Sequence, residues 1–484
     1  MSNSPAFLTA TELSEAIRTR KYSAREALAA YVARIERHNP ALNAIVTMNP
    51  RAEADAAALD DRLARGEVAG PLHGVPITIK DCFETEGLRT TNGYAGTADY
   101  VPAQDAPPVA KLRAAGAVII GKTNLPSLAG DFQSDNAVFG RTNNPWNLGA
   151  TPGGSSGGEA SAVAARLSAF GLGSDIGGSI RHPAHCCGVF GIKPTEHLVS
   201  TAGYLEGTGW QRAERHMGTI GPLARSVADL DLALRVAAGP DRRFLETPPI
   251  ALPPRRTRSV KGLRIAYQTG WPGVTMTREI AAAISDLAHD LQGSGAIVEE
   301  AYPLDVDYAG IRDAYGALFW AEFGAGMTEA EELEQARIFE LDSNSAEPYL
   351  RGAAGAVGIS LRDYSKLLVQ RDRAIARWET FLDDYDAFLC PTSAVPAFPH
   401  CRQNDPIDVN GVPTPYATAI GASLEMFDFT AMPGVALPLG VTADSRPYGY
   451  QIIGKRWNDI GLLDIAEALA LVSGPCRVPP GYDD

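Results

Sequence analysis

Gly171-Leu172-Gly173-Ser174-Asp175-Ile176-Gly177-Gly178-Ser179-Ile180-Arg181 is the stretch on which the reading of this chain turns. Small residues at this density are poor material for a core strand or a helix interior, where glycine is costly to order. They suit a place where the backbone takes φ > 0 or comes close to another atom. Consecutive Gly177-Gly178 leaves backbone N–H groups free of side-chain cover, and Ser179 follows directly. That arrangement fits a nucleophile beside an oxyanion hole. It also fits a glycine-rich turn between a strand and a helix, so the choice depends on whether the chain supplies a base.

Outward from the run, helices and strands alternate. A helix over 158–166 leads into a strand over 167–174. Upstream, a helix over 109–115 precedes a strand over 117–122, and Val75, Ile77 and Ile79 alternate with Pro76, Thr78 and Lys80 as a strand does. Downstream come a helix over 226–238, a strand over 263–267, a helix over 278–291 and a strand over 296–299. Stretches 387–391, 435–438 and 449–454 read as buried strands, and a helix over 459–472 closes the fold. This alternation argues for an α/β protein with one large mixed, mainly parallel β-sheet covered by helices on both faces.

The flanking segments read as scaffold. Thr9-Ala-Thr-Glu12 and Ser23-Ala-Arg-Glu26 have the capping-box pattern. The second helix carries the stripe Leu28, Tyr31, Val32 and Ile35 and is expected to stop near Asn39-Pro40. A third helix over 51–65 ends at Gly66. The chain is read as a single domain: a helical part over 1–66, a core over 67–240, a proline-rich connector over 241–262, and a part over 263–484 that completes the sheet. Region 301–385 is helical and carries Tyr308, Tyr315, Phe319, Trp320, Phe323, Phe339 and Tyr349. Some belong to the core and others to a pocket wall.

Composition narrows the function. Of 484 residues, 45% are hydrophobic and 21% charged, as in an ordinary globular protein, and the net charge of −14 disfavours a nucleic-acid surface. No apolar window is long enough to span a membrane, and the N-terminus lacks a secretory pattern. With six scattered cysteines, a reducing cytoplasmic setting is expected. His182-Pro-Ala-His185-Cys186-Cys187 resembles a metal cluster only briefly. No second ligand pair is evident, and Pro183 is expected to prevent a regular helix from presenting both histidines. Neither a metal nor a cofactor is expected.

The base is the next question. Lys80 ends a short β-branched strand, either reaching solvent or buried with a lowered pKa. Thr151-Pro-Gly-Gly-Ser155-Ser156-Gly-Gly-Glu159 is a second glycine-rich loop, and contains a literal G-x-S-x-G centred on Ser155. A hydrolase elbow needs a hydrophobic strand just before it, and residues 144–152 are not one. Amide hydrolysis needs a nucleophile, a proton acceptor, a proton donor for the leaving nitrogen and an oxyanion stabiliser. A neutral lysine can activate a serine, and a second serine can carry the proton between them because a hydroxyl both donates and accepts.

Gly153 to Gly158 and Gly173 to Arg181 together resemble the amidase signature family. Lys80-Asp81, Gly121-Lys-Thr-Asn124, Asn144-Pro-Trp146, Gly191-Ile-Lys-Pro-Thr195 and Gly449-Tyr-Gln-Ile-Ile-Gly454 match its pattern in order, across nearly the whole chain. The resemblance implies the amidase signature fold and a Ser–cisSer–Lys triad. Ser179 would be the nucleophile, Ser155 the bridging serine after a cis peptide bond, and Lys80 the base. The amides of Ile176, Gly177, Gly178 and Ser179 would form the oxyanion hole. Asp175 and Arg181 are expected to brace the loop, and His182, His185 and His216 to be structural.

The departures from the family pattern bear on substrate. Glu196-His-Leu-Val-Ser200 and Phe429-Thr-Ala-Met-Pro-Gly434 differ from the glutaminyl-tRNA amidotransferases, whereas Leu128 to Asn136 looks more like the fatty-amide and aryl-amide hydrolases. Ala129 falls where those enzymes bring a backbone carbonyl to the bridging or nucleophilic serine, so Ala129 and Ser155 are expected to meet substrate. A small apolar or aryl amide is the expected substrate, acted on by a monomer or homodimer. The alternatives are a carbamate or ester hydrolase, an inactive binding protein on the same fold, and a glutamine-hydrolysing amidotransferase subunit.

Overall fold

The computed structural model describes residues 4–209, 214–331, 334, 337, 347–356 and 358–484. Phe339 lies outside them. In chain order the strands are β1 (Ile45–Met48), β2 (Pro76–Lys80), β3 (Val118–Thr123), β4 (Phe170–Asp175), β5 (Phe190–Lys193), β6 (Thr219–Ala224), β7 (Arg264–Tyr267) and β8 (Ile297–Glu300). They continue with β9 (Ala387–Pro391), β10 (Ile407–Val409), β11 (Val412–Thr414), β12 (Gly434–Val441) and β13 (Pro447–Ile453). Eleven of them form one sheet in the order β1-β3-β2-β4-β6-β5-β12-β13-β9-β7-β8, and β10 pairs with β11 apart from it.

The sheet is mixed, as expected, but the weight placed on parallel pairing needs correction. Parallel pairing is confined to two blocks, β3-β2-β4 and β9-β7-β8. The six other pairings are antiparallel. One of these six has a local cause: β12 returns into β13 over the short connection 442–446, and a short return can only pair antiparallel. Strand β6 lies between β4 and β5 with Pro222 opposite Leu172.

Both faces are covered, and the period-2 alternation shows which residue goes where. Val435, Leu437 and Ile452 join a core with Leu230, Leu234, Ile284, Leu287 and Leu469. Their neighbours face the other way: Ala436 packs with Val163, Ile180 and Ala184, and Ile453 with Trp378, Phe388 and Phe427. Trp378 meets Phe427 and Phe388 edge-on at centroid distances of 5.0 and 5.1 Å. Truncating a ring buried this fully costs about 3–5 kcal/mol.

Both capping boxes form, at Thr9 and Ser23. The second helix, Ala24–Leu42, runs past Asn39-Pro40 rather than stopping there, and ends on Asn43 in the left-handed conformation (φ 50°). Pro40 lies inside the helix and removes one i→i−4 donor, and the helix ends within three residues of it. Asn39 Oδ1 accepts from the N–H groups of Ala44 and Ile45, closing the end. Pro183 is likewise tolerated. Arg181–Cys187 is a helix, and in its first turn the proline's missing N–H has no intrahelical partner to lose.

Candidate active site

Strands β2 and β4 run side by side in parallel, with Thr78 opposite Gly171 and Ile79 opposite Leu172. The C-terminal ends of both therefore open at one level, where Lys80 closes β2 and Ser174-Asp175 close β4. The 153–158 loop crosses above them into the helix Gly157–Ala164, and the Gly154–Ser155 peptide bond is cis. Only glycine fits at 154, because a Cβ there would lie 2.5 Å from the Asp131 carbonyl oxygen and 2.6 Å from the Gln133 nitrogen.

This crossing brings the expected groups together. Lys80 Nζ lies 2.6 Å from Ser155 Oγ and 2.9 Å from Ser174 Oγ. Lys80 is fully buried and Ser155 is 1% exposed, whereas Ser179 is 7% exposed. Burial pushes the Lys80 amine down to about 8, against the pull of Cys82, Asp175 and Glu159. Of the two readings left open for this lysine, the buried one holds. The two serine loops are tied by a hydrogen bond of 3.1 Å from Ser156 N–H to the Ser179 carbonyl. Among the hydrogen bonds of the described residues none involves Ser179 Oγ, so the second link of the relay is open.

Asp175 organises the loop that carries Ser179. Its carboxylate accepts from the N–H groups of Gly178 (2.7 Å), Ile180 (3.0 Å) and Arg181 (3.2 Å) and from the Arg181 guanidinium. Arg181 is also held by Asp428 at 2.7 Å and Gln451 at 3.1 Å, all out of water. Burial alone would raise Asp175, but the Arg181 guanidinium holds it well below the usual carboxylate range. The bracing role expected of both residues is thus visible as contacts.

The same contacts correct one expectation. The Gly178 N–H points at Asp175 and is not available to an oxyanion. Gly178 is there for its backbone: φ is +103°, and a Cβ would meet Leu424 Cδ1 at 2.3 Å. The N–H groups of Ile176, Gly177 and Ser179 have no acceptor among the described residues. Among the described residues they are the backbone donors left open beside Ser179.

In front of Ser179 lies a cavity of about 500 Å³ whose wall includes Ala129, Ile176 and Gly177. No hydrogen bond among the described residues links Ala129 to either serine. The structure sorts the aromatics of 301–350. Tyr315, Phe319, Trp320, Phe323 and Tyr349 face the cavity, while Tyr308 packs against Trp271. Phe132, Tyr204 and Tyr416 complete the ring lining, with the carboxylates Asp131, Glu214, Glu347 and Glu425 among them. Among the described residues the wall holds no lysine, arginine or histidine. Glu347 and Glu425 share Arg312, at 2.6 and 2.7 Å.

Sequence reasoning missed Ser174, Tyr204, Asp131 and Tyr416. For Ser174 a signal existed, because it shares the run that ends in Ser179. The histidines lie elsewhere: His185 bonds the backbone of Gly449 and Val395, and His216 pairs with Glu322. Among the described residues no group of three or more His, Cys, Asp or Glu side chains is placed to hold a metal ion, and no helix is long and apolar enough to cross a membrane. The six cysteines are unpaired.

Comparison with known proteins places this geometry. A family model described as Amidase matches residues 26–463. An acylamidase of Rhodococcus erythropolis is 33% identical, over 95% of this chain and 94% of its own. An indoleacetamide hydrolase of Bradyrhizobium diazoefficiens is 33% identical, over 95% of this chain and 86% of its own. A glutamyl-tRNA(Gln) amidotransferase chain of Moorella thermoacetica is 34% identical, over 96% of each chain. The crystal structure of a bacterial aryl acylamidase of the amidase signature family superposes with a TM-score of 0.81 at 25% identity, over 96% of each chain. Overall identity therefore does not separate the amidotransferase from the acylamidases. Fold, sequence and constellation agree, and the chain belongs to the amidase family of amide C–N hydrolases.

Proposed function

We propose that the chain hydrolyses small uncharged aryl or acyl amides by itself, through an acyl-Ser179 intermediate. The observation that carries this reading is the fully buried Lys80 amine, 2.6 Å from Ser155 Oγ at the back of an aromatic cavity that Ser179 faces. Neutral Lys80 takes the Ser155 proton, and Ser155 takes the proton of Ser179 as that oxygen attacks the carbonyl. The attack requires Ser179 Oγ to close the open link; catalytic hydrogen bonds commonly tighten only with substrate in place. The N–H groups of Ile176, Gly177 and Ser179 receive the oxyanion, each such donor contributing about 3–4 kcal/mol to the barrier reduction. Ser155 then protonates the leaving amine, and water activated through the same pair releases the acid.

The cavity wall supports an uncharged substrate over an anionic one. An anionic end would lie among carboxylates with no cation on the wall among the described residues, and two like charges 4 Å apart repel by about 4 kcal/mol at an effective dielectric near 20. Free glutamine brings such a carboxylate. Purified chain, with no partner added, is to be screened against a neutral p-nitroanilide, an anilide, a fatty amide and glutamine. Turnover of a neutral amide without turnover of glutamine is the expected result. Hydrolysis of glutamine alone would overturn the reading in favour of an amidotransferase.

A further inference from the structure

A neutral primary amine has one lone pair and two N–H bonds, so a lysine base depends on which neighbour its lone pair faces. Lys80 Nζ has two hydrogen-bond partners among the described residues, Ser155 Oγ at 2.6 Å and Ser174 Oγ at 2.9 Å. If Ser155 is to give up its proton, its O–H must point at the nitrogen. Ser174 Oγ is then the acceptor that remains for a lysine N–H. The Ser174 hydroxyl has an outlet of its own, Tyr204 Oη at 3.5 Å, on the cavity wall.

Ser174 is also held firmly enough to aim something. It sits in β4 opposite Ile220 of β6, one residue before the Asp175 clamp, and is 5% exposed. The parallel register of β2 and β4 carries it beside Lys80.

We propose that Ser174 is a positioning residue for the base: by accepting a Lys80 N–H it turns the lysine's lone pair onto Ser155. The inference rests on the proposed roles of Lys80, Ser155 and Ser179. The ionisable groups facing the amine are Cys82, Asp175 and Glu159, with Tyr204 one hydroxyl further away. Burial pushes the Cys82 thiol up to about 11 and the Glu159 carboxyl up to about 8, so both are mainly uncharged near neutrality. Asp175 is committed to Arg181. Among the hydrogen bonds of the described residues, Ser174 is therefore the only one besides the substrate-side serine that can orient the amine.

The test is the pH dependence of kcat and KM for Ser174→Ala and Ser174→Thr on a neutral p-nitroanilide, with Lys80→Ala and Ser179→Ala in parallel. Ser174→Ala should lower plateau kcat by about 10–100-fold, less than loss of a group that itself transfers the proton, with KM changed less than about twofold. A hydrogen bond accepted from Lys80 is stronger from the ammonium than from the amine, so its loss lets the proton go more readily and the acid limb of kcat/KM should move to lower pH. Ser174→Thr, which keeps the acceptor, should recover kcat to within about threefold. A merely structural serine would shift thermal unfolding without moving the limb. Wild-type kcat and limb in Ser174→Ala overturn the proposal, and so does a defect that threonine fails to reduce. If Ser174→Ala does not fold, Ser174→Cys, a weak acceptor of similar shape, must show the same lowered kcat and shifted limb, and a wild-type profile overturns the proposal. Near-normal turnover in Lys80→Ala or Ser179→Ala overturns instead the roles on which it rests.

Discussion

The floor of the cavity and its wall are built on different principles. The floor is polar and braced by hydrogen bonds. Lys80, Ser155, Ser174 and Asp175 come from strand ends and two glycine loops, and backbone ladders or buried charges hold them. The wall is a packed surface of rings on helices. Phe319 stacks on Tyr315 at 6.2 Å and on Phe323 at 5.5 Å, and meets Trp320 edge-on at 5.3 Å. Trp320 Nε1 is satisfied locally by Tyr349 Oη at 2.9 Å. A proton relay fails if one atom moves by an ångström. A ring surface degrades gradually, because dispersion is spread over many contacts.

The sharpest way to break the comparison uses two lysines that share an environment. Lys122 is as buried as Lys80, and burial pushes it down to about 8 as well. Its amine is spent on the Phe83 carbonyl and the hydroxyls of Thr85 and Thr90, away from the serines. Lys80→Met should therefore lose about 10³-fold or more in kcat while folding normally. Lys122→Met should keep kcat within about threefold and lower the unfolding free energy by about 1–3 kcal/mol, through the acceptors left unpaired. Turnover and urea unfolding of the two variants separate these outcomes. Because a base must be neutral, wild-type activity should climb as pH rises through about 8 and level off above it.

The floor was legible in the sequence, and most of the wall was not. Lys80, Ser155 and Ser179 are distinctive residues in glycine-rich surroundings, and a glycine that must sit within 2.5 Å of a carbonyl, as Gly154 does, leaves a mark in the text. Even there, which N–H groups stay free depends on a side chain. Gly178 reads as a donor until Asp175 is seen to occupy it. An aromatic at helical spacing is equally suited to a core and a pocket, so Tyr308 and Tyr315 could not be told apart before their neighbours were known. Strand β6 escaped because Pro222 argues against a strand interior. The parallel weighting failed because helix–strand alternation does not reveal where distant strands such as β6, β12 and β13 insert in the sheet.

A smaller effect probes how the floor is held. Asp175→Asn keeps the shape but halves the acceptors offered to Gly178, Ile180 and Arg181, and leaves the Arg181 charge to Asp428 alone. The loop should loosen and kcat should fall about 10–100-fold with KM little changed. Stability should fall by about 3–5 kcal/mol, since one partner of a buried ion pair is gone. The sign of the pH dependence follows from Asp175 lying below its ordinary range. Its contribution is present at all pH above its unfolded value near 4 and is lost as pH falls below that. Wild-type urea unfolding at pH 7 should therefore exceed the variant's, with the gap narrowing in acid. On the wall, Phe319→Ala should do the reverse of Asp175→Asn, raising KM about 5–10-fold for a neutral anilide and sparing kcat.

Tyr315 is where the two halves meet. Its ring packs with Phe319 and Tyr349, yet its hydroxyl donates to the Ile176 carbonyl at 2.9 Å. That carbonyl belongs to the peptide whose N–H is Gly177, one of the three donors proposed for the oxyanion, so the bond fixes the plane in which the N–H points. Tyr315→Phe removes the hydroxyl and leaves the ring. If the tyrosine serves the wall alone, KM and kcat stay as they are, because the ring surface is intact. If it also steadies the floor, kcat falls about threefold with KM unchanged, the size of one neutral hydrogen bond only partly felt in the transition state. The second outcome is expected. Steady-state kinetics on a neutral anilide, with Phe319→Ala as the wall reference, is sensitive enough to tell them apart.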